Sequence, residues 1–238
     1  MSAPPLSLIV LAYDEEENIG PVLQELHAWI DAHAPGAEVL VVDDGSRDGT
    51  AEAARRALAG RPGAVISHGR NRGMGAGIKT GTRAARGEWV TFLPADGQIA
   101  PEAVGTLLAA AGPDVDLVLS VYEDRDDGPT RKLLSWGVRA LITAVHGVRV
   151  RSDGPYLFRR GLLDPDQLPP ESFFLNFELP IRARRARLRT RTVTIACRPR
   201  RAGHSKTARL GRVVDVGRDL VDLRLRRTRD AWRRALGR

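Results

Sequence analysis

Two hydrophobic spacings alternate along this chain. Leu6 to Ala12, Val39 to Val42, Val65 to Ser67, Trp89 to Leu93 and Leu117 to Val121 are short runs with few polar interruptions. Each reads as a strand, and Val39 to Val42 has the continuous apolar character of one buried on both faces. Between them the period changes to that of a helix: Ile19, Val22, Leu23, Leu26 and Ile30 share a face, and further helices are expected at Ala51 to Leu58, after the Gly-rich stretch Arg70 to Gly87, and at Pro101 to Ala111. Strands alternating with helices predict an α/β fold with a mostly parallel sheet and right-handed crossovers.

Beyond Val121 the alternation stops. Glu123 to Arg131 is a charged surface loop, Arg131 to His146 a helix, and Pro155 to Phe158 an apolar segment; Phe173 to Arg187 is helical and Arg189 to Cys197 alternates as a strand. Arg200 to Lys206 is a basic loop. Leu210, Val213, Val214, Gly217, Leu220 and Val221 then recur at helical spacing. The expected organisation is one large domain over residues 1–209 and a basic amphipathic helical extension over 210–238.

Polar residues collect where the strands end. Asp14 is placed to cap the first helix with Glu17 at its third position, and Glu16 and Glu17 suit the positive end of the helix dipole. Asp43 and Asp44 end the second strand. Successive strand residues point opposite ways, so only one of the two can be an ordinary solvated turn acid, and Asp44 is the candidate ligand contact. Asp96 and Gln98 follow the strand at Trp89, hard oxygen groups on a glycine turn before the helix that opens at Pro101. Ligands of open α/β sheets bind at such strand ends. Glycines 73, 75, 77 and 81 precede or lie in a helix without a Gly-Lys-Ser/Thr sequence, so close helix packing explains them better than a phosphate loop does.

Charge divides the chain. From Arg182 onward 20 Lys and Arg face 4 Asp and Glu, a net +16, so the first 181 residues carry −8 of the total of +8. That asymmetry points to an anionic partner. The basic residues lack interleaved aromatics, which argues against nucleic acid. No apolar run approaches the roughly 20 residues that span a bilayer, and Cys197 stands alone, which fits a reducing cytoplasm.

The segments IVLAYDEEENI, VLVVDDGSRDGT, NRGMGAGIKTGTRAARGEW, FLPADGQIAPE and RPRRAGHSK occur between residues 8 and 206. In that order they resemble the inverting, nucleotide-sugar-dependent glycosyltransferases of family 2 with the GT-A fold, especially the dolichol-phosphate and polyprenyl-phosphate mannose synthase-like branch. The resemblance implies nucleotide contacts from Ala12, Tyr13, Glu15, Val42, Asp44 and Ala95, with Asp44 accepting from the base. It implies a Mg²⁺ or Mn²⁺ ion held by Asp96 and Gln98, and donor or acceptor phosphates facing Arg131, Arg200 and Lys206. Three positions depart from the family's pattern. Pro94 stands where an acid usually opens the metal motif, Val121 where the mannose synthases have Arg unless Arg125 substitutes, and Leu11 where a proline is usual.

The expected function is therefore sugar transfer, with inversion, from a GDP- or UDP-sugar to a polyprenyl phosphate. A lipid phosphate is already ionised and needs held positive charge rather than a base. A basic helix resting on anionic lipid would supply a peripheral contact at the inner face of the membrane. A hydroxyl acceptor instead requires a catalytic carboxylate, for which Glu178 or Asp153 is the candidate. A non-catalytic nucleotide-sugar binding module is the remaining alternative.

Overall fold

The computed structural model describes residues 5–123, 137, 140–145, 147, 152, 154–162, 164–165 and 175–202, with the side chains of 175–178 outside that set. Arg131, Asp153, Lys206, the side chain of Glu178 and the extension 210–238 all lie outside the described residues, as does most of the helix expected from Arg131 to His146, of which 137 and 140–145 are helical. The elements run β1 (Leu6–Ala12), α1 (Glu16–His33), β2 (Glu38–Asp43), α2 (Thr50–Leu58), β3 (Gly63–Ser67), α3 (Met74–Ala84), β4 (Trp89–Pro94), α4 (Pro101–Ala109), β5 (Leu117–Tyr122), β6 (Leu157–Arg159), α5 (Leu175–Arg185) and β7 (Thr190–Ile195).

They build one sheet in the order β3-β2-β1-β4-β6-β5-β7. Every neighbouring pair is parallel except those made by β6, which runs antiparallel between β4 and β5. Its three residues were not legible as a strand, because Leu157 and Phe158 are too short a run to show a period. Tertiary bonds place it: Thr91 Oγ1 donates to the Tyr156 carbonyl at 3.0 Å and Ser120 Oγ to that of Pro155 at 2.5 Å. The chain thus leaves the sheet at Tyr122 and re-enters it on the adjoining strand at Leu157.

Because alternate strand residues face opposite ways, the sheet carries two cores. Leu8 and Val10 pack with Ile19, Leu23, Leu26 and Leu107 under α1, α2 and α4; Ile9, Val42 and Phe92 pack with Ile78, Tyr156, Phe158 and Leu179 under α3 and α5. Each fully buried aliphatic contributes about 1.5–3 kcal/mol. Helix α3 lies unusually close. A Cβ on Gly81 would meet Ile9 Cγ2 at 2.5 Å and one on Gly77 would meet Leu11 Cδ2 at 2.8 Å, so the glycines serve helix packing against β1, as expected.

The start of α1 departs from expectation. Asp14 does not cap it: its backbone takes a positive φ of 49° and its Oδ1 accepts from the Arg47 amide at 2.7 Å. The free amides of α1 are met from across the chain, Glu15 N by Thr50 Oγ1 at 2.7 Å and Glu16 N by Asp48 Oδ2 at 3.2 Å, while Glu16 Oε2 accepts from Gly49 N at 2.9 Å. The two helix N-termini therefore cap each other.

At the N-terminal ends of the strands, carboxylates fasten the sheet. Glu38, almost wholly buried, accepts from Ser7 Oγ at 2.6 Å, from Arg86 N at 2.6 Å, and from Arg86 Nε and Nη2 at 2.9 and 2.8 Å. Burial alone would raise its pKa; these donors outweigh that and hold it below the ordinary value. Asp116 takes two guanidinium bonds and one amide bond from Arg189, and its pKa falls to about 2.

Candidate active site

The strand order reverses between β1 and β4, so their C-terminal ends flank the crevice where an open α/β sheet binds ligands. Two acids border it. Glu15 follows β1 and Asp96 follows β4, each with a side chain about a tenth exposed, and Arg200 reaches between them from the segment after β7. The Arg200 guanidinium pairs with Glu15 through Nη2 and stands 3.5 Å from Asp96 Oδ2 through Nη1. Its Nε donates to the Ala202 carbonyl at 2.8 Å, which bends the segment back on itself.

Asn18, one turn into α1, completes the constellation. Its Nδ2 donates to Glu15 Oε2 at 2.6 Å and to the Ala202 carbonyl at 3.3 Å, while its buried Oδ1 has no partner among the described residues. The segment 197–202 is held over the crevice by backbone bonds, Arg198 N to the Gln98 carbonyl at 2.8 Å and Arg201 N to the Asp96 carbonyl at 3.3 Å. Ion pairs add to these. Arg198 pairs with Glu25 at 2.5 Å and Glu102 at 3.2 Å, and Arg201 also pairs with Glu25.

Asp96 is the under-compensated group. Burial pushes its pKa above the ordinary carboxylate value; the Gln98 amide at 3.1 Å and the Arg200 charge lower it only in part, and the neighbouring Glu15 adds to the rise. A buried acid whose ionised form lacks sufficient donors is a place where a cation or a proton is favoured. Among the described residues no group of three or more His, Cys, Asp or Glu could hold a metal. The donor set therefore fits a hard divalent ion only where one carboxylate and an amide oxygen suffice, as they do when phosphate oxygens fill the remaining positions.

The other expected contacts are divided. Ala12 and Ala95 lie in the core beneath α1 and Val42 in the core beneath α3, so only their backbones can reach a ligand. Two of those backbone groups are already engaged, the Ala12 carbonyl by Asp44 N at 2.8 Å and Ala95 N by the Leu11 carbonyl at 2.9 Å. Tyr13 is half-buried beside the crevice. Asp43 and Asp44 are both buried, so neither is a solvated turn acid: Asp43 Oδ1 takes Ser46 N at 3.1 Å, and Asp44 takes donors from His68 and the Gly-rich loop. Asn18 and His68 went unrecognised in the sequence, since neither sits in a spacing that marks it.

Residues 7–200 match the family model described as Glycosyl transferase family 2. The undecaprenyl-phosphate 4-deoxy-4-formamido-L-arabinose transferase of Aeromonas hydrophila is 31% identical over 163 residues, covering 67% of this chain and 50% of that protein. The dodecaprenyl-phosphate galacturonate synthase of Rhizobium johnstonii is 30% identical, covering 63% of this chain and 45% of its own. The chain thus spans about half the length of the curated relatives it matches. Among solved structures, glucosyl-3-phosphoglycerate synthase from Mycobacterium tuberculosis, in complex with Mn²⁺, UDP and glucosyl-3-phosphoglycerate, superposes with a TM-score of 0.67 at 24% identity, over 92% of this chain and 77% of that one.

Proposed function

Because the chain belongs to glycosyl transferase family 2, we propose that it transfers a sugar, with inversion, from a UDP- or GDP-sugar to a polyprenyl phosphate at a membrane surface. The observation that carries the reading is the buried, under-compensated Asp96 at the β1/β4 crevice with Arg200 brought beside it from the far end of the chain. Polyprenyl phosphate is the proposed acceptor class because the two relatives described above are named for prenyl-phosphate chemistry.

Asp96, with Gln98, would hold Mg²⁺ or Mn²⁺, and the ion when bound neutralises charge developing on the departing diphosphate. Asp44 accepts from the nucleobase, and Glu15 fixes Arg200 at the crevice mouth. The acceptor phosphate attacks the anomeric carbon from the face opposite the leaving group. Being ionised, it requires no general base, only guanidinium and ammonium donors to hold it, the role of Arg200 and, we infer, of Arg131 and Lys206. The basic extension 210–238 is the proposed membrane contact. Among the described residues no helix is long and apolar enough to cross a membrane.

Incubation with radiolabelled nucleotide sugar and undecaprenyl phosphate vesicles should yield organic-phase label that mild acid releases. Chelation should abolish it and Mn²⁺ should restore it. A second reading, transfer to a hydroxyl of a phosphorylated small molecule, is favoured by the phosphoglycerate-bound structures of the similar fold. Acid-stable, water-soluble product that disappears in Glu178→Gln would select it.

A further inference from the structure

One strand away from the crevice, a polar cluster unites the ends of β2 and β3 with α3. His68 and Asp44 have side chains 6% and 11% exposed, with His68 Nδ1 2.7 Å from Asp44 Oδ1. On its other side His68 Nε2 lies 2.9 Å from Thr80 Oγ1. Asp44 also accepts from Arg72 N at 2.9 Å on Oδ1 and from Gly73 N at 2.8 Å on Oδ2. The loops that carry these groups touch: a Cβ on Gly45, whose φ is +75°, would lie 2.4 Å from the Arg70 carbonyl carbon.

A carboxylate can only accept, so Nδ1 carries a proton, and in that tautomer of the neutral ring Nε2 is the acceptor for the Thr80 hydroxyl. Three donors on two oxygens fix the rotamer of Asp44. A carboxylate has about four acceptor positions, and the one these donors leave open is on Oδ2. A base with a ring N–H, uracil or guanine, can donate to it. Cytosine and adenine present a bare ring nitrogen in its place and cannot donate from that position.

We propose that His68, oriented by Thr80, is a positioning residue that holds Asp44 so that its open Oδ2 position selects a nucleobase bearing a ring N–H. The proposal rests on the reading of Asp44 as the base contact. The imidazole touches no substrate itself; it prevents the carboxylate from turning to spend its last acceptor position on water or on the loop.

The full chain titrated calorimetrically with UDP, CDP, GDP and ADP tests this. The wild type should prefer UDP to CDP, or GDP to ADP, and His68→Ala should shrink that ratio about tenfold, the worth of one hydrogen bond to a charged group. His68→Asn, whose amide reproduces the Nδ1 donor, should restore the ratio to within about threefold, and ¹⁵N spectra should find the ring proton on Nδ1. Should His68→Ala not fold, Thr80→Val decides in its place, with an expected loss of about two- to fivefold in the ratio. An unchanged ratio in the folded His68 or Thr80 variant, failure of Asn to rescue, or a proton on Nε2 alone overturns the proposal. If Asp44→Ala loses the preference while the His68 and Thr80 variants keep it, the nucleotide reading of Asp44 stands and only the proposal falls. If Asp44→Ala also keeps it, or the wild type binds neither UDP nor GDP, both fall.

Discussion

Glu38 and Asp96 lie at opposite ends of the same sheet, and both are withdrawn from water, with opposite electrostatic outcomes. Glu38 is nine parts in ten enclosed or more, yet four hydrogen bonds from Ser7 and Arg86 bring its pKa below the ordinary value. Asp96 is less enclosed, yet its pKa is raised, because desolvation and the neighbouring Glu15 outweigh one amide and a guanidinium 3.5 Å away. The charge of Glu38 is fully compensated, whereas that of Asp96 is not. A local rule that fails in a consistent fold is where a functional site is expected, which makes Asp96 a candidate.

The difference can be broken from either end. Asp96→Asn should lower transfer about a hundredfold or more, by removing the acid that would hold the ion at the leaving group, while raising the melting temperature of the free protein by ~1–3 °C because a costly buried charge is gone. Rate assays and calorimetry on one preparation measure both. At the other end Glu38→Ala strips partners from Ser7 Oγ and the Arg86 amide. It should cost about 2 kcal/mol in denaturant unfolding and leave transfer per folded molecule unchanged.

Arg200→Ala should cut transfer about tenfold and raise the pKa of Asp96 further. The sign follows from proton binding. The folded-state value already exceeds the unfolded value near 3.8, so the folded protein holds the proton more tightly and stability declines as pH rises through that window. The variant should show a steeper decline in melting temperature across it, and the acid limb of its rate profile should move to higher pH. Asp116→Asn should have the smallest effect, below about 1 kcal/mol at neutral pH for an exposed pair. Asp116 titrates at about 2 in the folded protein, so its contribution is full above the unfolded value and disappears as pH falls through 2. The melting temperatures of variant and wild type should converge there.

What could be read in the sequence was what depends on near neighbours. The five parallel strands from Leu6 to Tyr122 and the helices between them announce themselves because each is a run of one period bounded by turn residues. The family segments likewise singled out Glu15, Asp96 and Arg200, which the fold brings together, though not that Arg200 would stand between the other two. Residues whose role depends on distant partners were not readable. Asp14 looked like a cap by spacing, but Ser46 and Arg47 bind it instead, and Thr50 and Asp48 meet the amides of α1. His68 follows a strand with nothing nearby in sequence to mark it, because its partners arrive from β2 and α3. The short β6 acquires its extended form from the strands on either side of it.

That antiparallel strand has an evolutionary corollary. The excursion after Tyr122 departs and returns on adjacent strands, so its loose ends are already joined by the sheet, and its length or composition can change without shifting β1, β2 or the first turn of α1. The sheet thus isolates the C-terminal ends of β1 and β2 from whatever segment the chain inserts between β5 and β6.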